Sequence, residues 1–528
     1  MYDYILANGI IVDGSGEKPY VSSVAIKGDR IVDIRKTFDQ RENVIDVNGL
    51  IIAPGFIDIH THSDGYPLKE ELSESKVYQG VTTELAGNCG NSLFPCDANS
   101  IETIRAFIKS KFQTTVDRSD WPSYSIKDFA HRIEGRKKSI NWASLVGHGT
   151  LRAAVMGMEN RRPTPKEMEL MKRMLDNEIK AGAFGISLGL PYPTGNFSDT
   201  DELIELAKVI RDNDAIMTAH IRGESDKIFD AIEEMKVVAR ESKAHIHISH
   251  LKLMGKGQWG KAEKLLTIIK EANKDGLNIT CDQYPYNASS TGLSVLVPKW
   301  VHEGGVKKMI ERLNNLERQK ILEEISIEME RRGGADRVYI ASTYGKKPMY
   351  EGYTIKELAD KIDLTKSEVV AKLLTECNGK VSCIYFSMSD EDVLNILKEK
   401  DIAIGSDGHA FRYDGSMSTG KPHPRSFGTF PRAIKMIREH QLLSLEDAIY
   451  KMTGLSAKIM GLKDRGLIKI GYIADIVIFD REKIKDTSTF DHPFQKPEGI
   501  PYVFVSGKPA IYKNMQTKER NGQVILNK

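Results

Sequence analysis

AIMTAHI (215–221), DKIFDAIEEMKVVARES (226–242) and HIHISH (245–250) read in order as strand, helix and strand. The outer runs are short, apolar and continuous, as in strands covered on both faces, while the middle run spaces its apolar residues at helical period. Two strands joined by a helix are parallel neighbours, the repeating unit of a parallel sheet. Each strand here finishes on a histidine, His220 and His250. Barrel enzymes of the (β/α)₈ type place their chemistry at the C-terminal ends of their strands, so the unit points to an architecture and to a site together.

The same texture continues on both sides. GFIDIH (55–60), VTTELAGN (81–88), NWASLVGH (141–148), AFGISLGL (183–190), NITCDQYPY (278–286) and IAIGSD (402–407) bring the candidate strands to eight. Helix-like runs such as TPKEMELMKRMLDNEIKAG (164–182) separate them. The expected fold is α/β: a (β/α)₈, TIM-like barrel over 55–460, with a helical insertion at about 287–400 before the last strand. That insertion also holds two possible strands, VYIAS and VSCIYF. The flanks 1–54 and 461–528 read as short strands broken by Asn8-Gly9, Asp13-Gly14 and Asn48-Gly49, which have turn chemistry. Both chain ends are expected to pair into one small β-domain.

Composition narrows the class. Over 528 residues, 75 basic and 73 acidic side chains leave a formal charge of +2, which argues against a nucleic-acid or membrane-surface role. Five irregularly spaced cysteines do not make a disulfide framework. The opening Met1-Tyr2-Asp3-Tyr4 has no basic region followed by an apolar one, and no apolar run is long enough for a membrane span. A cytoplasmic protein is expected, with cysteines free to act as thiolate ligands.

The candidate chemistry lies at the strand ends. His60 and His62, one residue apart on an extended chain, point the same way and can reach one ion. Cys89 ends the second strand within GNCG, His220 the fifth, His250 the sixth and Asp407 the eighth. Singly these residues have ordinary explanations: a satisfied structural histidine, an inert buried thiol, a turn aspartate. Together they would converge on one end of one barrel, which the ordinary explanations do not account for.

The chain resembles the amidohydrolase superfamily and, within it, the D-aminoacylase (N-acyl-D-amino-acid deacylase) group. The resemblance rests on APGFIDIHTHSD (53–64), QGVTTELAGNCGNSLFP (79–95), LVGHGTLR (145–152), GISLGLPYPTG (185–195), TAHIRGE (218–224), ISHLK (248–252), YPYNASST (284–291), IGSDG (404–408), HPRSFGTFPR (423–432) and GLIKIGYIADIVIFD (466–480). It implies one tightly held zinc on Cys89, His220 and His250, and a second, weaker position near His60, His62 and Asp407. It also implies that Asp407 shuttles the proton between water and the leaving amine, as general base and then general acid. Lys252, Tyr284 and Ser290 would grip the carboxylate of a small N-acylated amino-acid substrate; Arg425, from its loop position after the last strand, is a further candidate or else a surface or interdomain salt-bridge residue. Arg222 and Glu224 read as a pair orienting His220, Tyr192 and Leu296–Trp300 as pocket or core, and His148 as structural.

The implied reaction is hydrolysis of the linear amide of an N-acyl-D-amino acid, the D preference coming from the resemblance alone. The rival enzyme reading is a cyclic-amide hydrolase of the dihydroorotase or hydantoinase kind, against which Cys89 stands in place of a bridging lysine. The rival from another class is a non-catalytic scaffold of the same fold, against which the full ligand set stands.

Overall fold

The structure is a computed structural model that describes residues 1–39, 43–68, 71–111, 122–416 and 420–527. All eight sequence runs form parallel strands. Phe56–Asp58, Val81–Ala86 and Asn141–Ser144 pair side by side. After one step at Leu145, Val146–Gly147 continues through Gly185–Gly189, Ile216–His220, His245–Ile248, Ile279–Gln283 and Ile402–Ile404. Just beyond the first and last strands, Thr61 and Gly408 make a parallel bridge, and Asp407 N–H donates to His60 O at 2.8 Å. These strands are short and buried on both faces because helices cover them, which explains their unbroken apolar runs.

Both chain ends meet in one nine-stranded sheet. Ile51–Pro54 pairs antiparallel with Ile476–Phe479 on one side and parallel with Tyr4–Ile11 on the other. Asn8-Gly9 is not a hairpin turn as its composition suggested. It lies inside the strand Tyr4–Ile11, where Asn8 adopts φ 64° and the register with Tyr20–Lys27 slips. A Cβ on Gly9 would come within 2.5 Å of the Ile52 side chain, so the dipeptide serves a bulge and a close strand contact. Beyond this sheet, residues 522–527 run under the parallel strands, with Trp142 N–H donating to Gln523 O and Asn527 N–H to Gly182 O.

Between Ile279–Gln283 and Ile402–Ile404 the chain makes its own packed unit. Val338–Ser342 and Ser382–Tyr385 are strands, and Ser289–Gly292 joins them in an antiparallel sheet of three. Helices Gly305–Leu313, Arg318–Arg331, Ile355–Ile362 and Lys366–Glu376 pack a separate apolar core against it. This unit forms one wall of the cavity described below.

One helix contact gives a pH test of stability. Glu178, buried on the helix Pro165–Lys180, accepts the N–H of Ile126 at 2.6 Å, at the start of the helix Ile126–Glu134. Burial pushes its carboxyl up to about 7, with the Ile126 N–H opposing. A folded-state pKa above the unfolded one favours the protonated form, so this stability is present at pH 4.5 and is lost as pH rises through 7. Glu178→Gln imitates the protonated side chain. Its melting temperature should match the parent near pH 4.5 and exceed it at pH 8, by about 2–3 kcal/mol in stability. A difference that does not change with pH would refute the assignment.

Candidate metal centre and its cavity

The strand ends deliver their ligand-type residues to one place. Cys89 Sγ lies 3.4 Å from His60 Nε2 and 3.5 Å from His250 Nε2. Asp407 Oδ1 lies 3.6 Å from His60 Nε2 and 2.8 Å from His62 Nε2. His60, Cys89, His250 and Asp407 therefore form one compact donor group, and His220, Glu224 and His250 form another that shares His250. His220 stands edge-on to His250, with ring centres 4.4 Å apart. Three of these residues have left-handed backbone: Cys89 at φ 52°, His250 at 39° and Asp407 at 52°. The chain turns sharply as each strand ends, which tips the side chain over the strand ends; non-glycine residues hold such geometry where surrounding structure enforces it.

The electrostatics match a cation held among these groups. Burial alone would raise the Cys89 thiol, but the charge of His60 and hydrogen bonds from His220, His250 and His60 outweigh it and hold Cys89 well below the ordinary thiol range. Burial likewise opposes ionisation of Asp407, and Arg425, His62, His250 and His60 overcome it. A thiolate, imidazole nitrogens and a carboxylate within one buried group suit zinc, which takes sulfur, nitrogen and oxygen donors.

Behind the donors stands a buried aspartate that sequence reasoning missed. Asp282, on Ile279–Gln283, meets His60 Nδ1 at 3.3 Å and His247 Nε2 at 2.9 Å, and accepts His250 N–H at 2.9 Å. It fixes which His60 nitrogen faces Cys89, the orienting role that carboxylates play behind metal-binding histidines. Its signal was an acid inside an otherwise buried strand, a place where charge persists only with partners. Farther down, Lys76 Nζ bonds Asp58 at 2.7 Å and Ser406 Oγ at 2.9 Å, tying the first strand to the turn that carries Asp407.

Glu224 is more central than its sequence reading. Its carboxylate meets His220 Nε2 at 3.3 Å, His250 Nδ1 at 3.2 Å and the Lys252 ammonium. Arg222 does not pair with it. The guanidinium turns to Glu234 at 3.0 Å because that acid projects from the following helix, Ile228–Ser242. His148 is buried against Glu202, away from the donors, in keeping with a structural part.

The expected substrate-gripping residues line the same cavity, of about 830 Å³. Arg425 Nη1 pairs with Asp407 Oδ2 at 2.7 Å, and its Nη2 donates to Ser290 O at 3.2 Å. Tyr284 lies under the Arg425 guanidinium at 5.0 Å, and its buried hydroxyl has no hydrogen-bond partner among the described residues. Lys252 donates to Glu224 and His250 O, so its charge is shared with the histidine cluster. Tyr192 sets its ring edge-on to His220 at 5.1 Å and hydrogen-bonds Thr291 Oγ1 at 3.2 Å.

The sequence and the fold both have known relatives. A model of the amidohydrolase family matches residues 43–280 and 405–511. D-aminoacylase of Alcaligenes xylosoxydans xylosoxydans is 34% identical, with 99% of this chain and 97% of that protein aligned. N-acyl-D-aspartate deacylase of the same organism is also 34% identical, over 99% and 95% of the two chains. The crystal structure of N-acyl-D-glutamate deacylase from Bordetella bronchiseptica, complexed with zinc and a phosphonate mimic of the tetrahedral intermediate, superposes over 100% of both chains with a TM-score of 0.83 at 28% identity. The chain belongs to the amidohydrolase family, in its group of D-aminoacylases and N-acyl-D-amino-acid deacylases.

Proposed function

We propose that the protein is a zinc-dependent hydrolase that cleaves the amide of N-acyl-D-amino acids to a carboxylate and the free amino acid. The observation that carries this is the meeting, in one cavity, of a thiolate–histidine–carboxylate donor group with an arginine bonded to that same carboxylate. In our reading Cys89, His220 and His250 hold the tight zinc, and His60, His62 and Asp407 surround a second position. When bound, zinc supplies Lewis acidity, lowering the pKa of water to about 7 and polarising the amide carbonyl.

The chain's own groups do the rest. Asp407, kept ionised by Arg425, takes the proton of the attacking water and returns it to the leaving nitrogen, since an amide anion is too poor a leaving group. Arg425, Tyr284, Ser290 and Lys252 bind the substrate carboxylate, and the partnerless Tyr284 hydroxyl is a ready donor to it. Glu224 holds His250 through Nδ1, and Asp282 holds His60, so both rings meet the donor group in one orientation.

We further read residues 55–460 as one closed (β/α)₈ barrel, with the Thr61–Gly408 bridge as the seam, flanked by a β-domain from 1–54 and 461–528. Among the described residues no helix is long and apolar enough to cross a membrane. The five cysteines are unpaired, and we assign the protein to the reducing cytosol, where Cys89 stays available. The test is amine release from paired N-acetyl-D- and N-acetyl-L-amino acids, with and without zinc. Zinc-dependent turnover of the D series alone is expected; turnover of neither series by zinc-loaded protein would refute the reading.

A further inference from the structure

Asp407 stands beyond the ladder of parallel strands. The last of them, Ile402–Ile404, ends three residues before it, so regular pairing does not place the carboxylate that exchanges the proton. Two backbone contacts reach the turn 405–408, from Asp407 N–H to His60 O at 2.8 Å and from His62 N–H to Gly408 O at 2.9 Å. A clamp of side chains holds it from behind. Lys76 comes from the helix Glu74–Val77, Asp58 closes the strand Phe56–Asp58, and Ser406 precedes Asp407. All three are wholly buried, and none of them lines the cavity. The Lys76 ammonium donates to Asp58 Oδ2 at 2.7 Å and to Ser406 Oγ at 2.9 Å. Asp58 Oδ1 accepts the Ser406 N–H at 2.8 Å, and Ser406 Oγ accepts the Gly408 N–H at 3.0 Å. The N–H groups on both sides of Asp407 are therefore taken up by the clamp.

A buried ion pair is a weak source of stability. Taking an ammonium and a carboxylate out of water costs about what their attraction returns, and apolar residues of similar volume often serve as well. What this pair supplies is geometry. Asp407 holds φ 52°, and its two oxygens meet Arg425 at 2.7 Å and His62 at 2.8 Å. Misplacing a reacting group by about 1 Å can cost on the order of 100-fold in rate. We infer that Lys76, with Asp58 and through Ser406, is a positioning residue for Asp407, fixing the turn 405–408 so that the carboxylate stands where the proton is exchanged. The inference rests on the deacylase reading above and adds to it residues that form no part of the cavity wall.

The test uses the zinc-loaded full chain and the N-acetyl-D-amino acid that the parent turns over best, with zinc content and melting temperature recorded for every variant. Ser406→Ala removes the shared hydroxyl and leaves the Lys76–Asp58 pair in place. Its zinc content should equal the parent's, kcat should fall by about 10–100-fold, and KM should change by less than about threefold. Lys76→Met/Asp58→Leu removes both charges together, so that neither is left buried alone. It should melt near the parent and show a similar loss in kcat. Ser406→Ala added to Asp407→Asn should cost no more than about twofold further, because the residue it places no longer exchanges a proton. The inference is overturned, with the deacylase reading intact, if Ser406→Ala or the folded charge-free variant keeps the parent's kcat. It is equally overturned if the loss in Ser406→Ala falls on KM instead, or recurs in full on Asp407→Asn. Ser406→Ala decides alone if the charge-free variant does not fold, since it severs the lysine from the turn. If the parent hydrolyses no N-acetyl-D-amino acid, the deacylase reading itself falls and the inference with it.

Discussion

Asp407→Asn keeps its zinc and loses about three to four orders of magnitude in turnover, the scale of a lost general acid–base. The substitution preserves shape and leaves Cys89, His220 and His250 untouched, so zinc content measured after dialysis stays at the parent level. What disappears is the capacity to hold a proton between the attacking water and the departing nitrogen. Arg425 makes this aspartate well suited to the task, because the guanidinium contact at 2.7 Å and the His62 contact at 2.8 Å orient both carboxylate oxygens. An asparagine can keep one of those contacts as an acceptor but carries no charge to answer Arg425. The variant should therefore show its loss in kcat, with a smaller change in KM. Turnover within tenfold of the parent would remove Asp407 from the proton-transfer role.

Cys89→Ala loses the metal itself. The thiolate touches both His60 and His250, the latter being the residue that the two donor groups share. Without it the remaining imidazoles face a gap, and the negative charge that offsets a divalent cation inside a buried site is gone. Zinc affinity should fall by more than about 100-fold, beyond the cost of losing an outer partner such as Asp282. Elemental analysis against a zinc buffer measures this directly. A variant that retains stoichiometric zinc would show that the tight site lies elsewhere, with His220, Glu224 and His250 as the group to examine next.

How legible these features were depended on whether their signals were local. Buried parallel strands announce themselves as short unbroken apolar runs, and Val81–Ala86 or Ile216–His220 could be located from that property. The histidines, cysteine and aspartate at their ends were visible for the same reason. Ser289–Gly292 was not, because SSTG has no apolar residue and a single β-branched one, Thr291; it is a strand through the backbone of Ser382–Tyr385 beside it. Glu224 looked like a partner for its near neighbour Arg222, and only the fold shows Glu234 taking that arginine from the next helix. Asp282 was overlooked inside a strand read for its apolar character, although it binds His60 from the first parallel strand and His247 and the His250 N–H from the sixth. Local pattern reveals elements; long-range pairing decides which charged groups meet.

The nine-stranded sheet sets an order of events during synthesis. Ile51–Pro54 leaves the ribosome early, but its antiparallel neighbour Ile476–Phe479 follows more than four hundred residues later. At roughly 5–20 residues per second, tens of seconds pass before the first strand can acquire that partner. Ile51–Pro54 is fully buried in the finished molecule and leads directly into Phe56–Asp58 and the His60–His62 pair. Until the late strand arrives, the nascent chain holds an apolar edge open, a natural client surface for chaperones. The second position, which draws His60 and Asp407 from the first and last parallel strands, is likewise incomplete for most of that interval, whereas Cys89, His220 and His250 are all synthesised by residue 250.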